Sequence, residues 1–516
     1  MKIMTLLAHW VMRQASKAAT KRFTQQTGQL EHVQRQKLAT LLAMVEKKKL
    51  SYEEFCRRYP LTRYADWRGK IETSRRLGIN IMGQSKIVRF QPTSGSSEAL
   101  KFIPYTPMFL KELDQAIGLW LNRLYHQHPR LARATHYWSI SWLPESQRRV
   151  LKNANLNDDS ALLSFSKRLM SRMTQAVPNE VAYAETAEAA MFATAVYLVA
   201  DANLGMISVW SPTFALQLIE IIESQQVQIA EVLSTGQWQQ PGLSHLKAPK
   251  APRRARVLKQ LDFQQQHVWQ KLWPKLCLIS SWDTASAEQW AQELRAKMPK
   301  INFEAKGLWA TEGVVTIPYG NCFPLMYQSH FYEFLKADGK TVLAAWQLQQ
   351  GDVVSPVIST GSGLMRYVID DEIEVTGFLN QVPCFKFLGR KLTVDMVGEK
   401  LDHQTAVQIL QQFQHQDYRP MSLIGVERAK GKKPHYILLS DGDNAKQPSA
   451  AQLERLLKQN FHYELARDLG QLDPAQVLHV EDAWDYYKRL AMHNGMIEGN
   501  IKPEPLKKIK TNLEVV

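Results

Sequence analysis

The stretch RFQPTSGSSEALKFIPYT, residues 89–106, decides how this chain is interpreted. Its hydroxyl side chains, which could donate hydrogen bonds to a phosphate, are those of Thr93, Ser94, Ser96 and Ser97. Gly95 would let backbone N–H groups approach an anion, and Lys101 would add a positive charge. Glu98, however, stands where a phosphate-binding loop would have a second glycine. The residues alone therefore fit two structures, a nucleotide-binding loop and a polar turn between two strands.

The size and composition of the chain indicate a globular protein with more than one domain. Its 516 residues exceed what one hydrophobic core usually organises, and 45% of them are hydrophobic while 22% are charged. No apolar run reaches the length of a membrane span, the nearest being residues 189–200. The first residues, MKIMTLLAHWVMRQASKAATKR, predict an amphipathic helix. Such a helix usually packs on the protein's own core, although peripheral contact with a membrane surface stays open.

The net charge of +15 raises the question of a nucleic-acid partner. The basic residues concentrate in three segments, residues 45–50, 247–260 and 501–510, and none of these has the interleaved aromatic residues of a stacking platform. We therefore expect solvated basic faces and no nucleic-acid partner. The four cysteines show no C-x-x-C spacing, which favours a reduced, cytoplasmic protein without a zinc site.

Periodicity divides the chain into successive regions. Residues up to about 84 are predicted to form helices, among them residues 34–48, and residues 87–324 alternate strands and helices as in a layered α/β domain. Short strands between residues 331 and 387 indicate a β-rich subdomain. A smaller α+β region follows residue 390, in which Ser449 is predicted to cap a helix.

Two further motifs contain carboxylates. Thr311 and Glu312 follow a short apolar run, where Glu312 could hold Mg²⁺ beside a phosphate loop or simply face solvent. Asp370 and Asp371 stand at the start of a predicted strand, where an aspartate could accept hydrogen bonds from both hydroxyls of a ribose. Asp pairs are also common in turns, so neither motif identifies a site by itself.

The order and spacing of these motifs resemble those of the adenylate-forming enzymes. TSGSSEALK has the spacing of their T-S-G-S-T-G-x-P-K loop, and ATEG occupies the position of their threonine-glutamate motif. LMRYVIDDEIEVTGF and FLGRKLTVDMVGEKLD are similar to their ribose-binding and hinge motifs. More closely, the chain resembles the GH3 family of acyl-acid amido synthetases in GLMRYVIDD, FYEFLK and GNIKPE, with similarity from about residue 20 to 510.

The resemblance implies an α/β fold with a large N-terminal domain, residues 1–390, that contains the β-rich subdomain and begins with a helical segment of about residues 1–84. A small, mobile C-terminal α+β domain, residues 391–516, would complete the adenylate-forming enzyme fold. The implied reaction is ATP-dependent conversion of a carboxylic acid to an acyl-adenylate and then to an amide with an amine or amino acid. An acyl-CoA ligase and an inactive nucleotide-binding homologue stay open as alternatives, and neither the acid nor the amine can be named.

The resemblance also implies roles for individual residues. The phosphate-binding residues would be Thr93, Ser94, Gly95, Ser96, Ser97, Lys101 and Thr311, with Thr311 at the α-phosphate. Glu312 would hold Mg²⁺, Asp371 would bind the ribose hydroxyls with help from Arg390, and Lys502 would stabilise the charge that develops during adenylation. The sequence departs from the family pattern at Glu98, Val368 and Asp370.

Overall fold

The structure is a computed structural model. It describes residues 3–45, 49–93, 101–140, 142, 173–265, 267–390, 393–397, 399–427, 433–493, 496 and 501–509. Among these residues, no helix is both long enough and apolar enough to cross a membrane.

The N-terminal segment is helical, as predicted. Its helices are α1 (Ile3–Gln25), α2 (Leu30–Leu42), α3 (Tyr52–Arg58) and α4 (Tyr64–Leu77). Helix α2 begins earlier than predicted, because its buried positions at helical spacing start with Leu30 and Val33. Helix α1 packs against a later helix and buries Met12 and Phe23, but Trp10 on its opposite side is 60% exposed.

The large α/β region is built on a parallel sheet. Its strands, in spatial order, are β3 (Thr135–Trp138), β4 (Leu204–Ser208), β5 (Leu278–Ser281) and β6 (Asn302–Ala305). The helices of this region are α5 (Pro107–Gln127), α6 (Ala187–Ala200), α7 (Pro212–Ser224), α8 (Gln226–Thr235), α9 (Pro252–Lys259), α10 (Val268–Leu272) and α11 (Glu288–Lys297). Every residue of β4 and β5 is buried, as expected of parallel strands that are covered on both faces.

Two short hairpins accompany this sheet. Strands β1 (Arg89–Thr93) and β2 (Lys101–Tyr105) form one antiparallel pair, and β7 (Trp309–Ala310) and β8 (Gly313–Val314) form the other.

The β-rich region is an antiparallel sheet. Its strands are β9 (Phe331–Lys336), β10 (Val342–Ala344), β11 (Val353–Ser359), β12 (Tyr367–Val368), β13 (Asp371–Leu379) and β14 (Val382–Arg390), in the spatial order β10-β9-β11-β13-β14 with β12 paired to β11. Strand β10 ends at Ala344, because a 3₁₀ turn follows it and the Gln347 side chain accepts a hydrogen bond from the Ala344 N–H at 2.8 Å.

The C-terminal region has its own sheet and its own hydrophobic cores. A small pair, β15 (Thr393–Val394) and β16 (Leu401–Asp402), precedes a mixed sheet of β17 (Tyr418–Val426), β18 (His435–Gly442), β19 (Gln476–His479) and β20 (Leu506–Ile509) in the order β19-β18-β17-β20. Its helices are α12 (His403–Phe413), α13 (Ala450–Leu457), α14 (Phe461–Asp468) and α15 (Ala483–His493). Ser449 caps α13 by accepting the Gln452 N–H at 3.2 Å, as predicted.

Candidate active site

The serine-rich stretch connects the two strands of the β1–β2 hairpin. Thr93 is the register partner of Lys101, while Ser94, Gly95, Ser96 and Ser97 lie outside the described residues, as does Glu98. The stretch therefore follows a strand and precedes a strand. The ammonium of Lys101 lies 5.7 Å from the centre of the Tyr64 ring on α4.

Thr311 and Glu312 are the two turn residues of the β7–β8 hairpin. Trp309 pairs with Val314 and Ala310 pairs with Gly313, so only these two residues lie between the strands. A Cβ on Gly313 would stand 2.9 Å from Nε2 of His330, so a side chain is excluded there. The turn is thus held in register close to a buried histidine.

A tyrosine joins the two hairpins. The hydroxyl of Tyr105, at the end of β2, donates a hydrogen bond to the Thr311 carbonyl at 3.0 Å. Tyr105 is buried, and the bond itself is part-buried. The far end of β2, the strand that follows the predicted phosphate motif, therefore lies beside the threonine-glutamate motif.

A second tyrosine connects the turn to the predicted ribose motif. The hydroxyl of Tyr367 donates to Oε1 of Glu312 at 3.1 Å. Burial, and then the charge of Glu312, raise the pKa of Tyr367, so this hydroxyl keeps its proton. Glu312 thereby keeps a fixed orientation at the turn.

The aspartate pair divides into one buried and one exposed carboxylate. Asp371 begins β13, is 6% exposed, and has Arg390 of β14 as its register partner. Asp370 forms an ion pair with Arg63 of the N-terminal segment, with Oδ1 and Nη2 2.9 Å apart. Val368 is buried and pairs with Val357, which explains an apolar residue there. Two departures from the family pattern thus have partners in this fold.

The side chain of Lys502 contacts a tryptophan of the large region. Its ammonium lies 3.7 Å from the centre of the Trp282 ring. Trp282 packs on Trp210 with ring centres 5.2 Å apart, and Trp210 lies 6.3 Å from Trp309, two residues before Thr311. Lys502 is therefore placed at one end of a row of indoles whose other end adjoins the Thr311–Glu312 turn.

A buried polar network centred on Glu112 lies next to the β7–β8 hairpin. Glu112 of α5 accepts the Gly361 N–H at 2.9 Å, bonds Nδ1 of His330 at 2.9 Å and pairs with Lys37 at 2.9 Å. Nε2 of His330 then accepts the Val314 N–H at 3.2 Å, so the ring carries its proton on Nδ1. No local motif marks these residues, because they come from five separate segments of the chain.

A tryptophan-lined pocket opens beside the hairpin. Its walls include Trp120, Trp138, Trp210, Trp309, Ile317 and the side chain of Lys306. No local sequence pattern marks this pocket, because its four tryptophans come from four separate segments of the chain. An apolar pocket of this kind is suited to the body of a small organic molecule.

These features define a class of protein. A large region with a parallel and an antiparallel sheet is followed by a small region with its own sheet, which is the architecture that the motifs predicted. The predicted threonine-glutamate and ribose motifs meet in the large region. Models of the GH3 family N-terminal, central and C-terminal domains match residues 19–303, 323–390 and 402–509. The chain belongs to the GH3 family.

Curated relatives match over short stretches. The probable indole-3-acetic acid-amido synthetase GH3.1 of Arabidopsis thaliana is 29% identical over 144 residues, which are 26% of this chain and 24% of that protein. The probable indole-3-acetic acid-amido synthetase GH3.11 of Oryza sativa subsp. japonica is 30% identical over 106 residues, which are 19% and 18% of the two chains. The chain thus matches a quarter or less of the length of these relatives.

Solved structures match over nearly the whole length. The GH3.15 acyl acid amido synthetase has a TM-score of 0.75 at 16% identity, covering 95% of this chain and 94% of that one. A GH3.15 structure in complex with 2,4-DB has a TM-score of 0.72 at 16% identity, covering 96% and 94%. At this identity the likeness concerns the fold.

Proposed function

We propose that this protein is an ATP-dependent acyl-acid amido synthetase. It adenylates a carboxylic acid with release of pyrophosphate and then transfers the acyl group to an amine or amino acid. The observation that supports the proposal is the pair of tyrosine hydrogen bonds, Tyr105 to Thr311 and Tyr367 to Glu312, which join the strand after the predicted phosphate motif and the predicted ribose motif to one turn. The names of the curated relatives support the same activity.

The β1–β2 hairpin would hold the phosphates of ATP. In this proposal Thr93, Ser94, Gly95, Ser96, Ser97 and Lys101 surround the phosphates, and Thr311 contacts the α-phosphate. Asp371 accepts hydrogen bonds from the ribose hydroxyls, with Arg390 on the neighbouring strand assisting it. Such fixed donors and charges lower the barrier mainly by positioning and charge neutralisation.

The carboxylate of Glu312 fits a magnesium ligand. Mg²⁺ typically takes one or two protein carboxylates and completes its shell with phosphate oxygens and water. Among the described residues, no group of three or more His, Cys, Asp or Glu side chains could hold a metal ion. An ion bound at Glu312 would neutralise charge on the phosphates.

The two half-reactions take place at the same carboxyl group. A carboxylate oxygen attacks the α-phosphorus and pyrophosphate leaves. The amine nitrogen then attacks the acyl carbon, loses a proton, and AMP leaves with the bonding electrons. Lys502 supplies positive charge to the first step. A small domain, residues 391–516, that turns about the junction after Arg390 would bring Lys502 to the phosphates and withdraw it afterwards.

We also infer a cytoplasmic location, because the thiols of Cys56, Cys277, Cys322 and Cys384 form no disulfide. Small-molecule acids and amines would be its partners.

The experiment that tests this function is acid-dependent exchange of labelled pyrophosphate into ATP. We expect exchange with some acids of a broad panel, and its loss in Lys502→Ala while ATP binding persists. Lys508→Ala, a change in the following strand, is the matched control. Exchange without amide formation, but with thioester formed from coenzyme A, would replace the proposal with an acyl-CoA ligase.

Calorimetric titration with ATP and Mg²⁺ completes the test. Binding that Asp371→Ala abolishes supports the ribose assignment. Absence of ATP binding in the unaltered protein would overturn the catalytic proposal and leave a non-catalytic homologue. Glu98→Gly would then be the first variant to test for recovery of ATP binding.

A further inference from the structure

Helix α1 has one buried face and one exposed face, and the first turns of the exposed face are apolar. Thr5, His9 and Met12 are buried at helical spacing. The large apolar side chains on the other face are each at least 41% exposed, and they are Met4, Leu6, Leu7 and Trp10. They lie three or four residues apart along the helix, so they are neighbours on its surface. A contiguous exposed apolar patch of this kind marks a contact with another body.

Hydrogen bonds on the buried face hold α1 in this orientation. Nε2 of His9 donates to the Ala134 carbonyl at 2.7 Å. Nδ1 of His9 therefore accepts from the Tyr125 hydroxyl, at 2.8 Å. The Thr5 hydroxyl donates to the Met173 carbonyl at 3.2 Å. Turning the apolar side chains inward would break these bonds, so the fold presents the side chains to the surroundings.

The exposed face becomes basic after these first turns. Its exposed cations are Arg13, Lys17, Lys21 and Arg22. The sequence of α1 contains no aspartate or glutamate. The 3₁₀ turn Pro129–Arg133, which packs against α1, adds the exposed side chains of Arg130 and Arg133. The apolar turns are therefore surrounded by positive charge that no acidic residue of the helix offsets.

This combination of side chains fits an anionic membrane surface. A helix that lies in the plane of such a surface buries its apolar side chains below the head groups and places its cations beside the lipid phosphates. At 1.5 Å per residue, Trp10 and Lys21 are about 16 Å apart along the axis, so both would reach the same surface. A second copy of this chain fits less well, because pairing of two α1 helices would bring like charges together.

We propose that α1 binds this protein reversibly to anionic phospholipid membranes. Met4, Leu7 and Trp10 enter the head-group region, and Arg13 and Lys17 contact lipid phosphates. The helix lies on the membrane and does not cross it. This inference is independent of the proposed synthetase activity, because no residue of the candidate active site takes part in it.

The test is cosedimentation of the full chain with vesicles of phosphatidylcholine and phosphatidylserine in equal amounts, beside vesicles of phosphatidylcholine alone. We expect binding to the anionic vesicles to be about tenfold or more tighter, and to weaken as salt is added. Trp10→Gln should lower the affinity for the anionic vesicles about tenfold, because a large apolar side chain no longer leaves water. Val227→Gln, which changes an exposed apolar residue on α8, should leave the affinity unchanged.

The charges are tested by a second pair of variants. Arg13→Gln combined with Lys17→Gln should remove most of the preference for anionic vesicles. Arg253→Gln combined with Lys259→Gln removes the same charge from exposed positions on α9 and should leave the preference intact. All the substituted residues are exposed, so the urea midpoints of the variants should match the midpoint of the parent. A loss of vesicle binding then reports on the surface and not on folding.

Three results would overturn the inference. One is equal binding to the two kinds of vesicle, or binding to neither. The second is binding to anionic vesicles that Trp10→Gln leaves unchanged. The third comes from sedimentation velocity without lipid, where we expect the same sedimentation coefficient for the parent and Trp10→Gln. A dimer that Trp10→Gln dissociates would instead assign the apolar turns to contact between two copies of this chain.

Discussion

The Glu112 network makes a quantitative prediction for the variant Glu112→Gln. The amide keeps the shape of the carboxylate but has one acceptor oxygen, so its nitrogen must face either the Lys37 ammonium or Nδ1–H of His330. Lys37, whose side chain is 14% exposed, would lose its counter-charge. Breaking a buried ion pair from one side costs about 3–5 kcal/mol, and the partial exposure of Lys37 favours the lower end. We expect a loss of about 3 kcal/mol in the free energy of unfolding.

The assay is urea unfolding followed by tryptophan fluorescence, with thermal unfolding beside it. At 2–4 °C per kcal/mol, the midpoint temperature should fall by roughly 6–12 °C. Glu231→Gln, which changes an exposed carboxylate on α8, should stay within about 0.5 kcal/mol of the parent. Adding Lys37→Met to Glu112→Gln should recover part of the loss, because no unpaired charge then remains.

The same network has a pH signature. Burial alone would raise the pKa of Glu112, but His330, Lys37 and the Gly361 N–H together hold it below its ordinary value. A lowered folded-state pKa contributes stability above the unfolded pKa, and this stability is lost as the pH falls through the folded pKa. The parent should therefore lose more stability than Glu112→Gln on acidification below pH ~4.5. An unfolding free energy in Glu112→Gln equal to the parent's at neutral pH would refute the reasoning.

Three further predictions concern other parts of the molecule. Tyr105→Phe leaves the Thr311 carbonyl without its hydroxyl partner and should cost about 1–3 kcal/mol in urea unfolding; an unchanged midpoint would exclude a role for this bond. The Arg63–Asp370 pair is half exposed, so a double-mutant cycle with alanine at both positions should give a coupling energy of about 0.2–1 kcal/mol. Asp370→Ala should also leave the affinity for ATP nearly unchanged. A large loss of ATP affinity would place Asp370 in the nucleotide site instead. Burial, and then the charge of His9, lower the pKa of His136 to about 3, so below its ordinary pKa of 6.5 the unfolded chain binds a proton that the folded chain does not. As the pH falls from 6.5 to about 3, this difference should lower the free energy of unfolding by up to about 1.4 kcal/mol per pH unit. His136→Phe should make the free energy of unfolding, measured by urea titration at several pH values, depend less steeply on pH.

Local chemistry made much of the fold predictable. Pro212 opens α7 and Ser449 caps α13, because proline and serine favour helix starts for reasons contained within a few residues. The strands of the β-rich region followed from β-branched and aromatic runs. The prediction of a helix at residues 34–48 placed its start too late. The helix begins at Leu30, because Leu30 and Val33 are buried against the rest of the protein.

The candidate site was predictable only as separate motifs. Their spacing matched a known family, but the contacts that gather them span long stretches of chain: 206 residues between Tyr105 and Thr311, and 307 between Arg63 and Asp370. No local pattern shows such pairs. The division into residues 1–390 and 391–516, and the roles of the individual site residues, stay predictions.

The two-residue turn of the β7–β8 hairpin limits how this part of the gene can vary in length. Side chains alternate between the two faces of a strand. Inserting or deleting a single codon between those for Trp309 and Val314 would therefore turn the side chains of one strand of the hairpin to the opposite face. Trp309 would lose its place in the pocket wall, or Glu312 its bond to Tyr367. Substitutions in the hairpin can be tested one by one, but changes in its length should be nearly absent among functional descendants of this chain.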